Sequence, residues 1–208
     1  MPDLTRDAER SRVAKVALRN RLLAARRSNT PESLASAAAA VLSTLEDLVR
    51  RESPTVIAAY VPLGSEPGGP NLPGVLREAL PSTSSLLLPV LLPDGDLDWA
   101  PYDGPASLTP GARGLLEPSG PRWGATAISR ADLVVVPALA VDRRGVRMGR
   151  GGGSYDRALA RVADTALTVA LLHDGELLDT VPAEPHDRRV RAVITPLEGL
   201  SAPTDWTK

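Results

Sequence analysis

One stretch of this chain constrains its fold more than any other. Residues 132–141 form an almost continuous apolar run, and residues 142–157, which follow it, contain five glycines and five arginines. An apolar run without polar alternation is typical of a strand that is buried on both faces of a parallel sheet. Glycines allow the backbone that follows to turn with positive φ. The pattern therefore predicts a strand, a glycine-rich loop and the start of a helix within an α/β domain.

The rest of the chain alternates in the same way between helices and strands. We predict helices over residues 5–27, 31–51, 72–80 and 154–163. We predict strands over residues 55–60, 85–92, 132–141, 165–172 and 191–195. Such alternation indicates a three-layer α/β domain, in which helices flank a mainly parallel central sheet. Pro89 suggests an edge or bulged strand position, and the Pro, Gly and Asp content of residues 93–123 predicts a long loop excursion with little regular structure.

Length, composition and charge narrow the class of protein further. Residues 1–208 suit a single domain, and the absence of cysteine excludes disulfides and thiolate chemistry. No apolar run approaches the roughly 20 residues that span a bilayer, and the first residues are charged, so we expect a cytoplasmic protein without a membrane partner. With 24 basic and 25 acidic residues, a nucleic-acid partner is disfavoured. We expect a monomer that binds anionic small molecules.

The loop of residues 142–157 has the composition of a phosphate-binding site. It matches neither the G-x-x-x-x-G-K-[ST] nor the G-x-G-x-x-G fingerprint. Backbone N–H groups and a helix N-terminus can still face an anion, and Arg147 and Arg150 add guanidinium groups that match phosphate oxygens. Ser154 can cap the following helix. The alternative is a flexible loop with solvated arginines, which leaves two arginines among five glycines unexplained.

Three other candidate groups each have a simpler alternative. Lys15, Arg19 and Arg26 share one face of the first predicted helix, which either contacts an anion or is a solvated basic face. Asp156 is either a first-turn acid that interacts with the helix dipole or a ligand for Mg²⁺. Glu66 follows a predicted strand, and it either accepts an N–H group from a substrate or faces water.

Together these segments resemble the 5-formyltetrahydrofolate cyclo-ligase family. The family signature R-x-G-x-G-x-G-Y-Y-D-R is matched by residues 147–157. The K-x-x-x-R pattern of its N-terminal helix is matched by Lys15 and Arg19, and its Y-x-P-x-x-x-E segment by residues 60–66. Its G-[IL]-x-E-P turn corresponds to residues 114–118 and its closing v-P-x-E-x-H-D run to residues 181–187. The resemblance extends in order over nearly the whole chain.

The resemblance implies an ATP- and Mg²⁺-dependent ligase that converts N5-formyltetrahydrofolate to 5,10-methenyltetrahydrofolate. ATP phosphorylates the formyl oxygen, N10 closes the ring, and ADP and phosphate are released. The family pattern places ATP at Lys15, Arg19, Arg147, Gly149, Arg150, Gly151, Gly152, Gly153, Ser154, Tyr155 and Asp156. It gives catalytic roles to Arg147, Arg150 and Tyr155, folate binding to Tyr60, Glu66 and Tyr155, and Mg²⁺ to Asp156 and Asp187.

The chain departs from the family pattern at three positions. Ser154 replaces the first of two paired tyrosines, Glu176 replaces a glutamine, and Arg191 replaces an acidic residue. These differences motivate one alternative function, a diverged paralogue that binds ATP but acts on another carbonyl or amide substrate. The basic first helix motivates another, a nucleotide-binding module without catalytic activity.

Overall fold

The computed structural model describes residues 4–184 and 187–202, with side chains from residue 11 onward. Its α-helices are α1 (Leu4–Arg27), α2 (Pro31–Glu52), α3 (Leu72–Ala79) and α4 (Ser154–Leu159). All four begin within one residue of the predicted positions, and α4 ends before the predicted residue 163. No helix in the described ranges is both long enough and apolar enough to cross a membrane.

The strands divide among one large sheet and two small ones. They are β1 (Val56–Ala58), β2 (Ser85–Leu91), β3 (Leu97–Pro101), β4 (Leu108–Pro110), β5 (Leu116–Pro118), β6 (Leu133–Pro137), β7 (Ala140–Asp142), β8 (Arg147–Met148), β9 (Leu167–Leu171), β10 (Leu177–Leu178), β11 (Ala192–Thr195) and β12 (Gly199–Ser201). The large sheet has the order β12-β11-β9-β6-β1-β2-β3. Its five inner strands pair in parallel, and β3 and β12 pair antiparallel at the two edges.

The central sheet is buried on both faces, as the apolar run predicts. Successive residues of β6 alternate between two apolar clusters, with Leu133 and Val135 in one and Val134 and Val136 in the other. The first cluster includes side chains of α2 and α3, and the second includes side chains of α4. The architecture is therefore the expected three-layer α/β domain with a mainly parallel sheet.

The single strand predicted over residues 132–141 is wrong, because the chain leaves the large sheet after Pro137. The backbone N–H of Leu139 donates to Met148 O at 2.8 Å, and β7 then joins a three-stranded sheet of order β10-β7-β8. A third apolar cluster surrounds β7 and includes Leu139, Ala140 and Val146. The run remains apolar throughout because it enters a second core, and hydropathy alone cannot separate the two strands.

Two expectations for the neighbouring region also need correction. Pro89 is not on an edge strand, because β3 pairs with β2 on the side away from β1. Pro89 tolerates this position because β1 ends opposite Leu87 and requires no N–H group from residue 89. Residues 93–123 are not largely irregular either, since they contain β3 and the β4–β5 hairpin. Trp99 on β3 is fully buried, which ties this segment to the core.

Candidate active site

A cavity of about 510 Å³ lies at the carboxyl ends of β1, β2 and β6. Ligands bind at this edge in α/β folds with parallel strands. Its polar lining comes mainly from α1, from the loop between β8 and α4, and from Glu184 and Asp187, and Glu66 and Arg113 add two further charged side chains. Its apolar lining comes mainly from the strand ends and the β4–β5 region, at Val61, Leu63, Pro89, Leu91, Leu97, Leu115 and Leu116. The cavity thus combines a charged wall with an apolar one.

The loop between β8 and α4 forms the charged wall, and its glycines are needed for its shape. Gly151 and Gly153 adopt φ values of 103° and 69°, which side chains disfavour. A Cβ atom on Gly149 would lie 2.8 Å from Arg147 Nη1. Arg19 of α1 donates from Nε to Gly149 O at 3.1 Å, so α1 lies directly against the loop.

Lys15 lies in the cavity wall between two carboxylates. Its Nζ atom is 2.8 Å from Glu184 Oε2 and 2.7 Å from Asp187 Oδ2. Burial disfavours the charge on Lys15, but the hydrogen bonds to Asp187 and Glu184 outweigh that effect and raise its pKa. Lys15 therefore remains an ammonium ion throughout the physiological pH range.

Arg147 is buried and joins the loop to two other elements. Its Nη2 atom donates to Asp156 Oδ1 at 2.8 Å, and its Nη1 atom donates to Pro137 O at 3.3 Å. Arg147 Nε has no hydrogen-bond partner in the part of the chain that the structure describes. Asp156 lies in the first turn of α4 and also accepts from the backbone N–H of Arg188 at 3.3 Å.

Arg150 connects the loop to the turn that follows β1. Its Nε atom lies 3.1 Å from Glu66 Oε1, and the second carboxylate oxygen of Glu66 accepts from Leu63 N at 2.9 Å. The Glu66 side chain is only 12% exposed, whereas that of Arg150 is 47% exposed. This ion pair brings the predicted phosphate-binding and folate-binding residues into direct contact.

Two tyrosines line the cavity near Glu66. Tyr60 is buried and donates from its hydroxyl to Pro67 O at 3.0 Å, so its ring faces the cavity while its polar atom supports the turn. Tyr155 packs against the clusters on both faces of the sheet. Burial, and then the charge of Glu66, raise the pKa of both phenols. Both are therefore neutral at physiological pH.

The expected capping role of Ser154 is wrong. Gly153 occupies the N-cap position, and no side chain caps the helix there. The Ser154 hydroxyl instead donates to Gly95 O in the turn between β2 and β3. Arg161 reaches the same turn, with Nη1 donating to Asp96 Oδ1 at 2.9 Å. The serine therefore joins α4 to the neighbouring hairpin.

All the predicted site residues, Ser154 included, line the same cavity, and the structure adds others that had no predicted role. Glu184 belongs to the closing run of residues 181–187, and its carboxylate binds Lys15. Pro185 and His186 of that run lie outside the described residues. Arg26, which belongs to the predicted basic face of α1, lines the cavity as well, and it is paired with the buried Glu176 rather than solvated. The family resemblance was the main signal that pointed to residues 181–187.

Comparison with known proteins identifies the family. A sequence profile described as the 5-formyltetrahydrofolate cyclo-ligase family matches residues 11–196. The 5-formyltetrahydrofolate cyclo-ligase of Mycolicibacterium smegmatis is 43% identical over 194 residues, which cover 91% of this chain and 97% of the relative. The chain belongs to the 5-formyltetrahydrofolate cyclo-ligase family. The enzyme of the same name from Escherichia coli K12 is 34% identical over 112 residues, covering 52% of this chain and 62% of the relative.

Solved structures agree with this family assignment. The NMR structure of 5,10-methenyltetrahydrofolate synthetase from Aquifex aeolicus superimposes with a TM-score of 0.77 at 27% identity, covering 93% of this chain and 95% of the other. A 5,10-methenyltetrahydrofolate synthetase from Mycoplasma pneumoniae shares the fold, with a TM-score of 0.68 at 16% identity, and the match covers 86% and 96% of the two chains. The fold of the cyclo-ligase family is therefore retained over most of this chain.

Proposed function

We propose that this cyclo-ligase family member closes the ring of N5-formyltetrahydrofolate in an ATP-dependent reaction, giving 5,10-methenyltetrahydrofolate, ADP and phosphate. The contact between Arg150 and Glu66 is the observation that carries the proposal. It joins a wall of cations and glycine amides to a wall with a largely buried carboxylate and apolar side chains. A cavity of this kind suits a phosphoryl donor and a flat heterocyclic acceptor bound side by side.

On the charged wall, Lys15, Arg19, Arg147 and Arg150 would bind the ATP phosphates. The glycine-rich loop, residues 149–153, presents backbone N–H groups at the same wall. Arg147 lines the same wall, and Asp156 and Pro137 O hold its guanidinium group in place. Phosphoryl transfer depends mainly on positioning and charge stabilisation, and these donors provide both without a protein nucleophile.

On the other wall, Glu66 would anchor the folate. Its carboxylate is held by Arg150 and by the N–H of Leu63, so its direction is set before substrate arrives. A carboxylate accepts N–H donors, which the pterin ring supplies. Tyr60 and Tyr155 would contact the ring system through their aromatic faces, and Leu91, Leu97 and Leu116 extend the apolar surface.

Asp156 and Asp187 are the residues that would hold Mg²⁺. No group of three or more His, Cys, Asp or Glu side chains in the described ranges could hold a metal ion by itself. Mg²⁺ is usually bound by one or two carboxylates together with substrate phosphates, and two carboxylates beside the phosphate-binding groups fit this pattern. When bound, Mg²⁺ neutralises charge on the phosphates.

In the proposed reaction the residues of the cavity align the two substrates. The formyl oxygen attacks the γ-phosphorus, and the bond from phosphorus to the β–γ bridging oxygen breaks to release ADP. N10 then attacks the activated formyl carbon, loses its proton, and the carbon–oxygen bond breaks to release phosphate. Arg147 and Arg150 would stabilise charge on the transferring phosphoryl group, while the apolar lining excludes water that would intercept the activated formyl group.

A direct assay tests the proposed reaction. Purified protein, N5-formyltetrahydrofolate, ATP and Mg²⁺ should together give the near-ultraviolet absorbance of the methenyl product, and no signal should develop without ATP. Arg147→Ala should raise the KM for ATP far more than the KM for the folate, because Arg147 lies among the phosphate-binding groups. A folded protein that binds ATP but produces no methenyl compound would overturn the proposal.

The departures at Ser154 and Glu176 are accounted for by contacts within the protein. Ser154 bonds to Gly95 O, and Glu176 bonds to Arg26. Neither departure therefore requires a different substrate. Together with the 43% identical relative, these contacts favour the cyclo-ligase reaction over the paralogue and over the non-catalytic module.

A further inference from the structure

A buried ion pair joins α1 to the turn between β9 and β10. Arg26 donates from Nε and Nη2 to the two carboxylate oxygens of Glu176 at 2.7 and 2.8 Å. Arg26 is 2% exposed and Glu176 is 5% exposed. Arg26 belongs to the helix that also carries Lys15 and Arg19. The position of the phosphate-binding side of the cavity therefore depends on this pair.

The same carboxylate leads to the turn that carries Glu66. Glu176 accepts the backbone N–H of His173 at 2.8 Å, and the His173 ring donates from Nε2 to Ser65 O at 2.8 Å. On the other side of Glu66, the Tyr60 hydroxyl holds Pro67 O. The carbonyl groups before and after Glu66 are thus both fixed by buried side chains.

Arg26 also contacts the same backbone segment as Arg147, which precedes the glycine-rich loop. Its Nη2 atom donates to Ala138 O at 2.6 Å, and Arg147 donates to the preceding carbonyl, Pro137 O. Two arginines from different elements therefore hold consecutive carbonyls at the end of β6. The network connects α1, the loop after β8 and the turn after β1.

Stability alone does not explain such a network. A buried ion pair loses hydration that its Coulomb attraction often fails to recover, and an apolar pair of similar volume is frequently as stable. Hydrogen bonds fixed at both ends, however, set the distance between elements more precisely than apolar contacts do. We therefore expect the network to determine the geometry of the cavity more than the stability of the protein.

We infer that Arg26, Glu176 and His173 are positioning residues that set the ATP wall and the folate wall relative to each other. The inference rests on the proposed function. Each end of the network supports a different substrate: Arg26 holds α1, with Lys15 and Arg19, whereas His173 holds the turn with Glu66. Glu176 joins the two ends.

The test measures KM for each substrate separately in variants of the full chain. For Arg26→Lys, which keeps the charge but loses the two-pronged contact, the KM for ATP should rise roughly tenfold, since a hydrogen bond to a charged group contributes on that order. The KM for the folate should stay within about twofold. For His173→Leu the pattern should reverse, and Glu176→Leu should raise both constants, because Arg26 and the backbone N–H of His173 then lose their shared acceptor.

Asp132→Asn is a control for a carboxylate that accepts several hydrogen bonds away from the cavity. Asp132 also accepts three hydrogen bonds, from Thr55 N, Thr55 Oγ1 and Val56 N, but it lies at the amino-terminal ends of the strands. This variant should change neither KM. Circular dichroism and thermal melting confirm that each variant is folded at the assay temperature. If Arg26→Lys does not fold, the double variant Arg26→Met/Glu176→Leu removes both charges and should still raise the KM for ATP.

Two outcomes would overturn the positioning role: folded Arg26→Lys and His173→Leu proteins that raise both constants equally, or that raise neither. A wild-type protein that forms no methenyl product would instead refute the proposed function. Calorimetric titration with a non-hydrolysable ATP analogue would then still test the α1 end of the network. Weaker binding in Arg26→Lys supports the inference there, and unchanged binding contradicts it.

Discussion

The two long helices are almost equal in length, but they are held in the structure by different forces. α2 has 22 residues and buries Val41, Leu45, Leu48 and Val49 against the central sheet. α1 has 24 residues, and the buried side chains among its described residues are Leu22, Lys15 and Arg26. Apolar packing fixes α2, whereas ion pairs contribute much of the attachment of α1.

This difference separates a helix that lies away from the cavity from one that lines it. The contacts of α1 that bury charge all involve groups that line the cavity or lie directly behind it. α2 contributes no residue to the cavity lining. Substitutions in α2 should therefore change stability with little effect on substrate binding, and substitutions in α1 should do the reverse.

The largest effect is expected in α2. Leu45 is fully buried, and Leu45→Ala should lower the free energy of unfolding by about 3 kcal/mol, because it removes apolar contacts and leaves a cavity. Urea denaturation measures the loss, and both KM values should be unchanged at a temperature where the variant is folded. A large rise in either KM would show that α2 is coupled to the site.

The converse experiment removes a charge from α1. Lys15→Met should lower kcat/KM for ATP about a hundredfold, on the order of the loss for one preorganised donor to a developing charge. The free energy of unfolding should fall much less in Lys15→Met than in Leu45→Ala, because the Lys15 side chain lies at the cavity wall. Steady-state kinetics and urea denaturation of both variants test the contrast. An equal loss of kcat/KM for the folate would contradict the assignment of Lys15 to ATP.

Hydrogen exchange compares the helices without any mutation. Amides in the middle of α1 should exchange roughly tenfold or more faster than those in the middle of α2, because fewer apolar contacts oppose the local opening of α1. Exchange followed by mass spectrometry resolves peptides from the two helices. Equal protection would mean that the ion pairs fasten α1 as firmly as apolar packing fastens α2.

The smallest effect is expected at high pH. The pKa of Lys15 is raised in the folded state, so its ion pairs contribute fully below the unfolded value of about 10.4 and are lost as the pH rises through the folded-state pKa. Between pH 9 and pH 11 the wild-type protein should therefore lose up to about 1 kcal/mol more stability than Lys15→Met. Urea denaturation at the two pH values measures the difference, and identical pH dependence of the two proteins would contradict it.

Much of the fold could be predicted because its signals are local. Pro31 at the first turn of α2 and the cap at Thr30 mark the start of that helix in the sequence. The apolar run that contains β6 indicated a strand buried on both faces. The exit of the chain after Pro137 could not be predicted, because it depends on pairing with Met148 and on a second core.

The site could be predicted where chemistry and spacing coincide in one segment. Arg147, Arg150 and Asp156 lie close together in the sequence, and the structure places them in one cavity. The partnership of Arg26 and Glu176 joins residues that are 150 positions apart. Neither residue type is unusual in its own segment, so only the three-dimensional structure could reveal the pair.

The turn between β2 and β3 has a consequence for engineering the protein. A short loop that contains Gly95 would ordinarily tolerate a peptide insertion or new chain termini. Here Ser154, Arg157 and Arg161 from the α4 region all bond to Gly95 or Asp96. A tag or circular permutation at this hairpin would displace α4, the helix that follows the glycine-rich loop. A label placed there would therefore inhibit the enzyme, although its position is far from the loop in the sequence.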